Sequence, residues 1–179
     1  MSPPRGLLVA LALLASPAVV AALEPRFDHR DTYGPYVAAA VGRDTVALSE
    51  GGSASSWRPA VRLGWGFDLT GEGNELLVGA AFALASYDDP DRERVLVGAD
   101  ARYRAFFGSE ELKTFFDVGL WAPIRSRLAV GPLVALGVAY DFSRAAGLSL
   151  AGSFATAFGQ ARVASFELAL AAHLRFEMF

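Results

Sequence analysis

A two-residue rhythm of hydrophobicity constrains this chain more than any other feature. Trp57, Pro59, Val61, Leu63, Trp65, Phe67 and Leu69 alternate with Arg58, Ala60, Arg62, Gly64, Gly66 and Asp68. Side chains spaced by two lie on one face of a β-strand, so one face here is apolar and the other is small or charged. Leu76–Leu84, Val95–Ala105, Phe115–Leu120, Val130–Phe142, Leu148–Phe158 and Phe166–Met178 alternate in the same way. Turn residues separate them: Thr70-Gly71-Glu72-Gly73-Asn74, Asp88-Asp89-Pro90-Asp91 and Gly108-Ser109-Glu110-Glu111. Tyr33–Asp44 is apolar on both faces and rich in alanine. A short helix competes with a strand there, and its glycines and β-branched residues favour the strand. With it the count is eight, an even number as a single-chain barrel needs.

Nothing after the first twenty-odd residues can cross a membrane as a helix. The richest apolar run, Leu128–Tyr140, is interrupted by Gly131, Pro132 and Gly137. A membrane-spanning chain of this kind must therefore span as strands. The first residues differ. Arg5 precedes an apolar run from Gly6 to Ala15, Pro17 follows, and Ala18-Val19-Val20-Ala21-Ala22 ends the segment. This is the pattern of a secretory signal peptide, with cleavage after Ala21 or Ala22. The apolar run is too short for a membrane anchor. The expected organisation is a signal peptide over 1–22, a short periplasmic segment over 23–32 and a barrel over 33–179.

Which row faces inward decides between a soluble and a membrane barrel. A soluble barrel has an apolar interior and a polar exterior rich in Lys, Glu and Thr. Here the polar row is mostly Gly, Ala and Ser with a few Arg and Asp, which suits a narrow lumen. The chain is 53% hydrophobic and carries one lysine, Lys113. Aromatics gather at both ends of the apolar row: Phe67, Tyr103, Phe107, Phe116, Tyr140, Phe142 and Phe176 at one, Trp57, Tyr87, Phe158 and Phe166 at the other. Two such girdles mark two membrane interfaces. The expected fold is all-β, an eight-stranded antiparallel up-and-down transmembrane barrel. Its expected interior network comprises Arg62, Asp68, Asp100, Arg102, Arg104, Asp117, Asp141, Glu167, His173, Arg175 and Glu177, whose charges nearly balance. Tight turns are expected after strands two, four and six. On the opposite side only the first connection, Ala47–Ser56, reads as long. Pro59 is expected at a strand start, and Pro132 at a bulge or a late start of strand six.

The chain resembles the small eight-stranded outer-membrane barrels, the group of the OmpA membrane domain and the OmpW-like proteins. The residues carrying the likeness are Gly34-Pro35-Tyr36-Val37, Leu63-Gly64-Trp65-Gly66-Phe67-Asp68, Val138-Ala139-Tyr140-Asp141-Phe142 and the terminal Phe179. The resemblance implies an outer-membrane location in a Gram-negative-type bacterium, contact with outer-membrane lipid and handling by the barrel-assembly machinery. The terminal signal departs from the family pattern, because Arg175 and Glu177 stand in phase with Phe179 where hydrophobic residues are usual.

Chemistry is sparse. There is no cysteine, hence no disulfide, thiolate ligand or thiol nucleophile. His173 lacks the serine two positions on that lipid A deacylases of this architecture carry. His29-Arg30-Asp31 and Asp88-Asp89-Pro90-Asp91 have no metal-ligand spacing, and no basic block supports nucleic-acid binding. No enzyme activity and no cofactor are expected. The leading expectation is a non-enzymatic structural or surface-interaction barrel. A narrow pore or conduit for small hydrophobic compounds and a soluble periplasmic lipocalin-like binding barrel are the alternatives.

Overall fold

A computed structural model describes residues 31–47, 53–68, 73–84, 95–108, 111–124, 129–159 and 162–177. The leader (1–22), most of the 23–32 segment, Tyr87, the Asp88–Asp91 tip and Phe179 lie outside them. The strands are β1 (Thr32–Ala47), β2 (Ser53–Asp68), β3 (Glu75–Leu84), β4 (Val95–Phe107), β5 (Leu112–Ile124), β6 (Gly131–Ser143), β7 (Ala146–Ala157), β8 (Arg162–Leu174) and the two-residue β9 (Phe176–Glu177). Each pairs antiparallel with the next in sequence, and β1 closes the sheet by pairing with both β2 and β8. β9 continues the β8 line past Arg175 and pairs with the start of β1. The barrel therefore has eight staves, as the alternation predicts, and the ambiguous first segment is a strand.

The register fixes the shape. Stepping between cross-strand partners once around the barrel leads from Gly34 through Gly66, Leu77, Arg102, Gly119, Leu133, Ala155 and Ser165 to Asp44, ten residues along the same strand. For eight strands that stagger implies a tilt of about 40° and a radius of about 8 Å. One residue then advances about 2.5 Å along the barrel axis.

Two sequence expectations are corrected. The first connection is not the long one: β1 runs to Ala47 and β2 begins at Ser53, so the β1–β2 ladder absorbs half of it. The longer gap between strands lies between Leu84 and Val95. Pro59 is not at a strand start, since it lies inside β2 opposite Val41. It is tolerated because the β2–β3 ladder starts one residue later on β2, at Ala60↔Ala83. The other strand prolines follow the same rule. Pro35 falls between the β8 and β9 pairings of β1, and Pro123 lies beyond the β5–β6 ladder. Pro132 falls between the Val130↔Phe158 bridge and the β6–β7 ladder that begins at Leu133, consistent with a late start of β6. A residue without an N–H costs little where one neighbour has no ladder bond to receive.

Burial alternates along the eight long strands. The outward row is exposed and apolar, including Val61, Leu63, Val118, Leu136, Leu150, Leu168 and Leu170. Near the end that holds Thr32 and Glu177 it carries Tyr33, Trp65, Phe67, Tyr140, Phe142 and Phe176, with Tyr33 stacked on Trp65 at 6.3 Å. Near the other end it carries Trp57, Phe158 and Phe166. Phe67 and Trp57 stand ten residues apart on β2, about 25 Å along the axis, the height of the apolar band of an outer-membrane barrel.

Candidate functional site: the charged lumen

An interior of about 8 Å radius holds side chains and little else. The sequence meets this limit with small residues placed beneath large ones. The Tyr36 ring lies over Gly64 of β2 and its hydroxyl over Gly79 of β3, where an added Cβ would come within 2.5 Å and 2.2 Å of Tyr36 atoms. Those two gaps let one tyrosine cross two strands, so that its hydroxyl accepts a hydrogen bond from Arg102 Nη2 of β4 at 3.2 Å. Phe115 of β5 uses Gly137 of β6 in the same way, a Cβ there falling 2.3 Å from its ring. On β1, Ala38, Ala40 and Gly42 leave a low floor across which β2 arginines reach β8.

The charges form a chain on that floor. Arg58 Nε donates to Asp44 at 2.8 Å, and its Nη2 bonds Ser165 Oγ at 2.8 Å and pairs with Glu167 at 3.2 Å. Glu167 takes a second arginine, Arg62, at 2.6 Å, and Arg62 also pairs with Asp100. Asp100 meets Arg102 at 2.7 Å, and Arg102 faces Asp117 at 3.5 Å. Arg104 closes the series with two hydrogen bonds to Asp117, at 2.8 and 2.9 Å, and lays its guanidinium 3.7 Å from the centre of the Phe115 ring. Four carboxylates and four guanidiniums thus alternate over the arc from β8 through β1 and β2 to β5. A second group lies toward the Thr32 end. Arg175 donates to Glu75 at 2.8 Å and to Asp141 at 3.0 Å, and Asp141 also accepts from Lys113 at 3.1 Å. Asp68 accepts the backbone N–H of Asp31 at 2.8 Å.

All of Arg62, Asp68, Asp100, Arg102, Arg104, Asp117, Asp141, Glu167, His173 and Arg175 are buried in the lumen. Glu177 is not: it stands at the rim, paired with Thr32 at the start of β1, where it is exposed and pairs with Arg144 of the β6–β7 turn at 3.0 Å. Sequence reasoning missed Asp44, Arg58, Glu75, Lys113 and Tyr36. The signal was phase. Each stands an even number of residues from an inward neighbour on its strand: Arg58 from Arg62, Lys113 from Asp117, Glu75 from Leu77.

His173 has a partner that no linear motif shows. Its Nε2 lies 2.7 Å from Ser149 Oγ on β7, and its ring is 5.8 Å from that of Tyr36. This reproduces the contact of a nucleophile and base. Both residues are buried, however, and among the described residues no carboxylate bonds the other ring nitrogen. The adjoining cavity, beside Glu75, Leu77 and Arg175, is about 10 Å³. A second cavity, between Arg58, Asp44 and Trp121, is about 20 Å³. Space of that size holds a water molecule at most, so neither seats a substrate. Toward the far mouth the lumen becomes apolar, with Val46, Trp121, Leu133, Ala155 and Val163 packed together. Among the described residues no cluster of His, Asp and Glu has metal-binding geometry.

Comparison with solved structures places this geometry. The crystal structure of Neisserial surface protein A (NspA) superposes with a TM-score of 0.59 at 18% identity, covering 79% of this chain and 97% of that one. The fold is that of the small eight-stranded outer-membrane barrels. The attachment invasion locus protein Ail of Yersinia pestis aligns at 11% identity and a TM-score of 0.43, over 86% of this chain and all of its own. The outer membrane protease OmpT of Escherichia coli aligns at 8% and 0.28, over 89% of this chain and 100% of its own. The fold assignment rests on NspA. No family model matches the chain, and no curated protein matches it in sequence.

Proposed function

We propose that this protein is a non-enzymatic barrel of the outer membrane of a Gram-negative-type bacterium, closed to solutes and serving a structural or surface-interaction role. The observation that carries this reading is the lumen, filled by an alternating run of four arginines and four carboxylates. A desolvated charge is held in place only when paired, so opening a path would strand several charges at once. The apolar outward row supports a lipid setting over an aqueous one, because exposed apolar area on this scale is not found on a soluble monomer. It thereby speaks against the periplasmic binding barrel. Interior cavities of about 20 and 10 Å³ speak against a conduit through the lumen. The buried Ser149–His173 contact supports a packing role for that pair and no catalytic one.

The test combines two measurements on protein extracted by detergent. The unheated protein is expected to migrate faster on gels than the heated one, and in planar bilayers it is expected to show no stable unitary conductance. A steady conductance in the wild type would overturn the closed-lumen reading. Recovery in the soluble periplasmic fraction without heat-modifiable migration would overturn the location.

A further inference from the structure

Among the described residues every charge inside the barrel has a partner, which makes the two described cations without a carboxylate partner conspicuous. Of the nine described arginine and lysine side chains, Arg58, Arg62, Arg102, Arg104, Lys113, Arg144 and Arg175 each pair with a carboxylate. Arg43 and Arg162 have no carboxylate partner among the described residues. Both are exposed and both belong to the outward row, Arg43 between inward-facing Gly42 and Asp44, Arg162 beside inward-facing Val163. They stand on adjacent strands at the same end of the barrel, since β1 and β8 pair with Arg43 opposite Phe166 and Ala47 opposite Arg162.

Their level is set by the register. Arg43 lies directly opposite Trp57 on β2, its guanidinium 5.9 Å from the Trp57 ring centre. It therefore sits within the aromatic girdle at the end opposite Thr32 and Glu177. Arg162 stands four residues further along than Phe166, and after allowing for tilt it lies about 7 Å higher along the axis than Arg43. Two hydroxyls stand beside Arg43: Thr45 and Ser55, cross-strand partners hydrogen-bonded at 3.1 Å. The wall below is Val41, Leu168 and Leu170, apolar and exposed. An arginine on an apolar wall at this level places its stem in hydrocarbon and its head among headgroups. Two such arginines, with no carboxylate partner among the described residues, fit a ligand that is anionic above and apolar below, and a planar guanidinium suits phosphate.

We propose that Arg43 and Arg162, with the Thr45 and Ser55 hydroxyls, form a binding site on the outer wall for a phosphate-bearing lipid headgroup of the outer leaflet, with the acyl chains lying against Val41, Leu168 and Leu170. The proposal rests on the outer-membrane location argued above. It adds to the structural role a specific lipid contact, made by the face that joins the first and last full strands.

The test uses the purified full chain in detergent micelles, followed by native mass spectrometry as bisphosphorylated lipid A, its dephosphorylated form or inorganic phosphate is added. Lipid A is expected to remain bound to the wild type. The Arg43→Gln/Arg162→Gln double variant is expected to lose about 30-fold in apparent affinity, near the sum of two interfacial charge contacts. The dephosphorylated lipid is expected to bind more weakly to the wild type and equally to both proteins. Arg144→Gln, at the opposite end and paired with Glu177, is expected to bind lipid A as the wild type does. Equal retention of lipid A by the double variant and the wild type would overturn the site. So would displacement of the lipid by millimolar inorganic phosphate, which would make it a general anion site. Heat-modifiable migration is read on every sample. If the wild type migrates as a barrel and the double variant does too, a negative binding result counts against the lipid site alone. If the wild type itself shows no heat-modifiable form, the membrane location falls and the lipid site falls with it.

Discussion

Replacing Asp117 by asparagine separates the charge from the shape of the lumen. Asp117 is fully buried, accepts both hydrogen bonds from Arg104 at 2.8 and 2.9 Å, and faces Arg102 at 3.5 Å. The two arginines are not equally dependent on it. Arg102 keeps Asp100 at 2.7 Å and the Tyr36 hydroxyl at 3.2 Å, whereas among the described residues Asp117 is the sole carboxylate paired with Arg104. Asp117→Asn therefore strands one buried guanidinium. Stranding a buried charge costs about 3–5 kcal/mol. A Coulomb interaction of about 4 kcal/mol for charges 4 Å apart at an effective dielectric of 20 agrees with that range. The reverse change, Arg104→Met, leaves Asp117 with Arg102 and fills the space over Phe115. It is expected to cost about 2 kcal/mol, the scale of a charge-assisted hydrogen bond. In the Arg104→Met background the further change Asp117→Asn no longer strands Arg104 and is expected to cost about 1 kcal/mol. Urea unfolding in lipid vesicles, read by tryptophan fluorescence and by loss of the heat-modifiable band, gives all four corners of the cycle. If the two single costs add to within about 0.5 kcal/mol, the residues are not coupled and the charge-chain account of the lumen is wrong.

Three further outcomes follow from the wall and its packing. Gly137→Val is expected to prevent the compact, heat-modifiable form, because a Cβ there would fall 2.3 Å from Phe115 and 2.5 Å from the Leu150 carbonyl oxygen; Gly152→Ala, with nothing within 4 Å, is expected to leave it unchanged. Leu170→Arg, near mid-height on the outward face, is expected to destabilise the barrel by about 2–4 kcal/mol in urea titrations in vesicles, and an effect below 1 kcal/mol would contradict a lipid-facing wall. Pro132→Ala is expected to change stability by less than about 0.5 kcal/mol, whereas Leu136→Pro, in a position paired with both β5 and β7, is expected to yield no folded band.

The comparison of sequence with structure turns on phase and distance. The alternation set the strand segments, and the small, lysine-poor polar row with aromatics at both ends of the apolar row set the facing, because a period of two separates two faces without saying which one is inside. Residues outside that clean rhythm were misplaced. Ala47–Ser56 reads as a loop from its Gly and Ser content, yet the β1–β2 ladder continues into it, since pairing across a hairpin overrides weak local preference. Glu75 and Lys113 look like turn residues because each stands next to a connection, and only the strand bounds bring them into the inward phase.

By itself the sequence pointed to a barrel with an apolar outside and a charged inside: a hydrophobic period of two marks two faces without a partner, and the lysine-poor polar row with aromatics at both ends of the apolar row says which face meets lipid. It could not determine who meets whom. Arg62 is 105 residues from Glu167 and 38 from Asp100. Ser149 meets His173, and Tyr36 crosses Gly64 and Gly79 to reach Arg102. Those meetings follow from a stagger of ten residues around eight strands, a property of closure that no local segment carries. The same closure brought Arg43 and Arg162, 119 positions apart in the chain, to one end of the wall on adjacent strands, four residues apart in register.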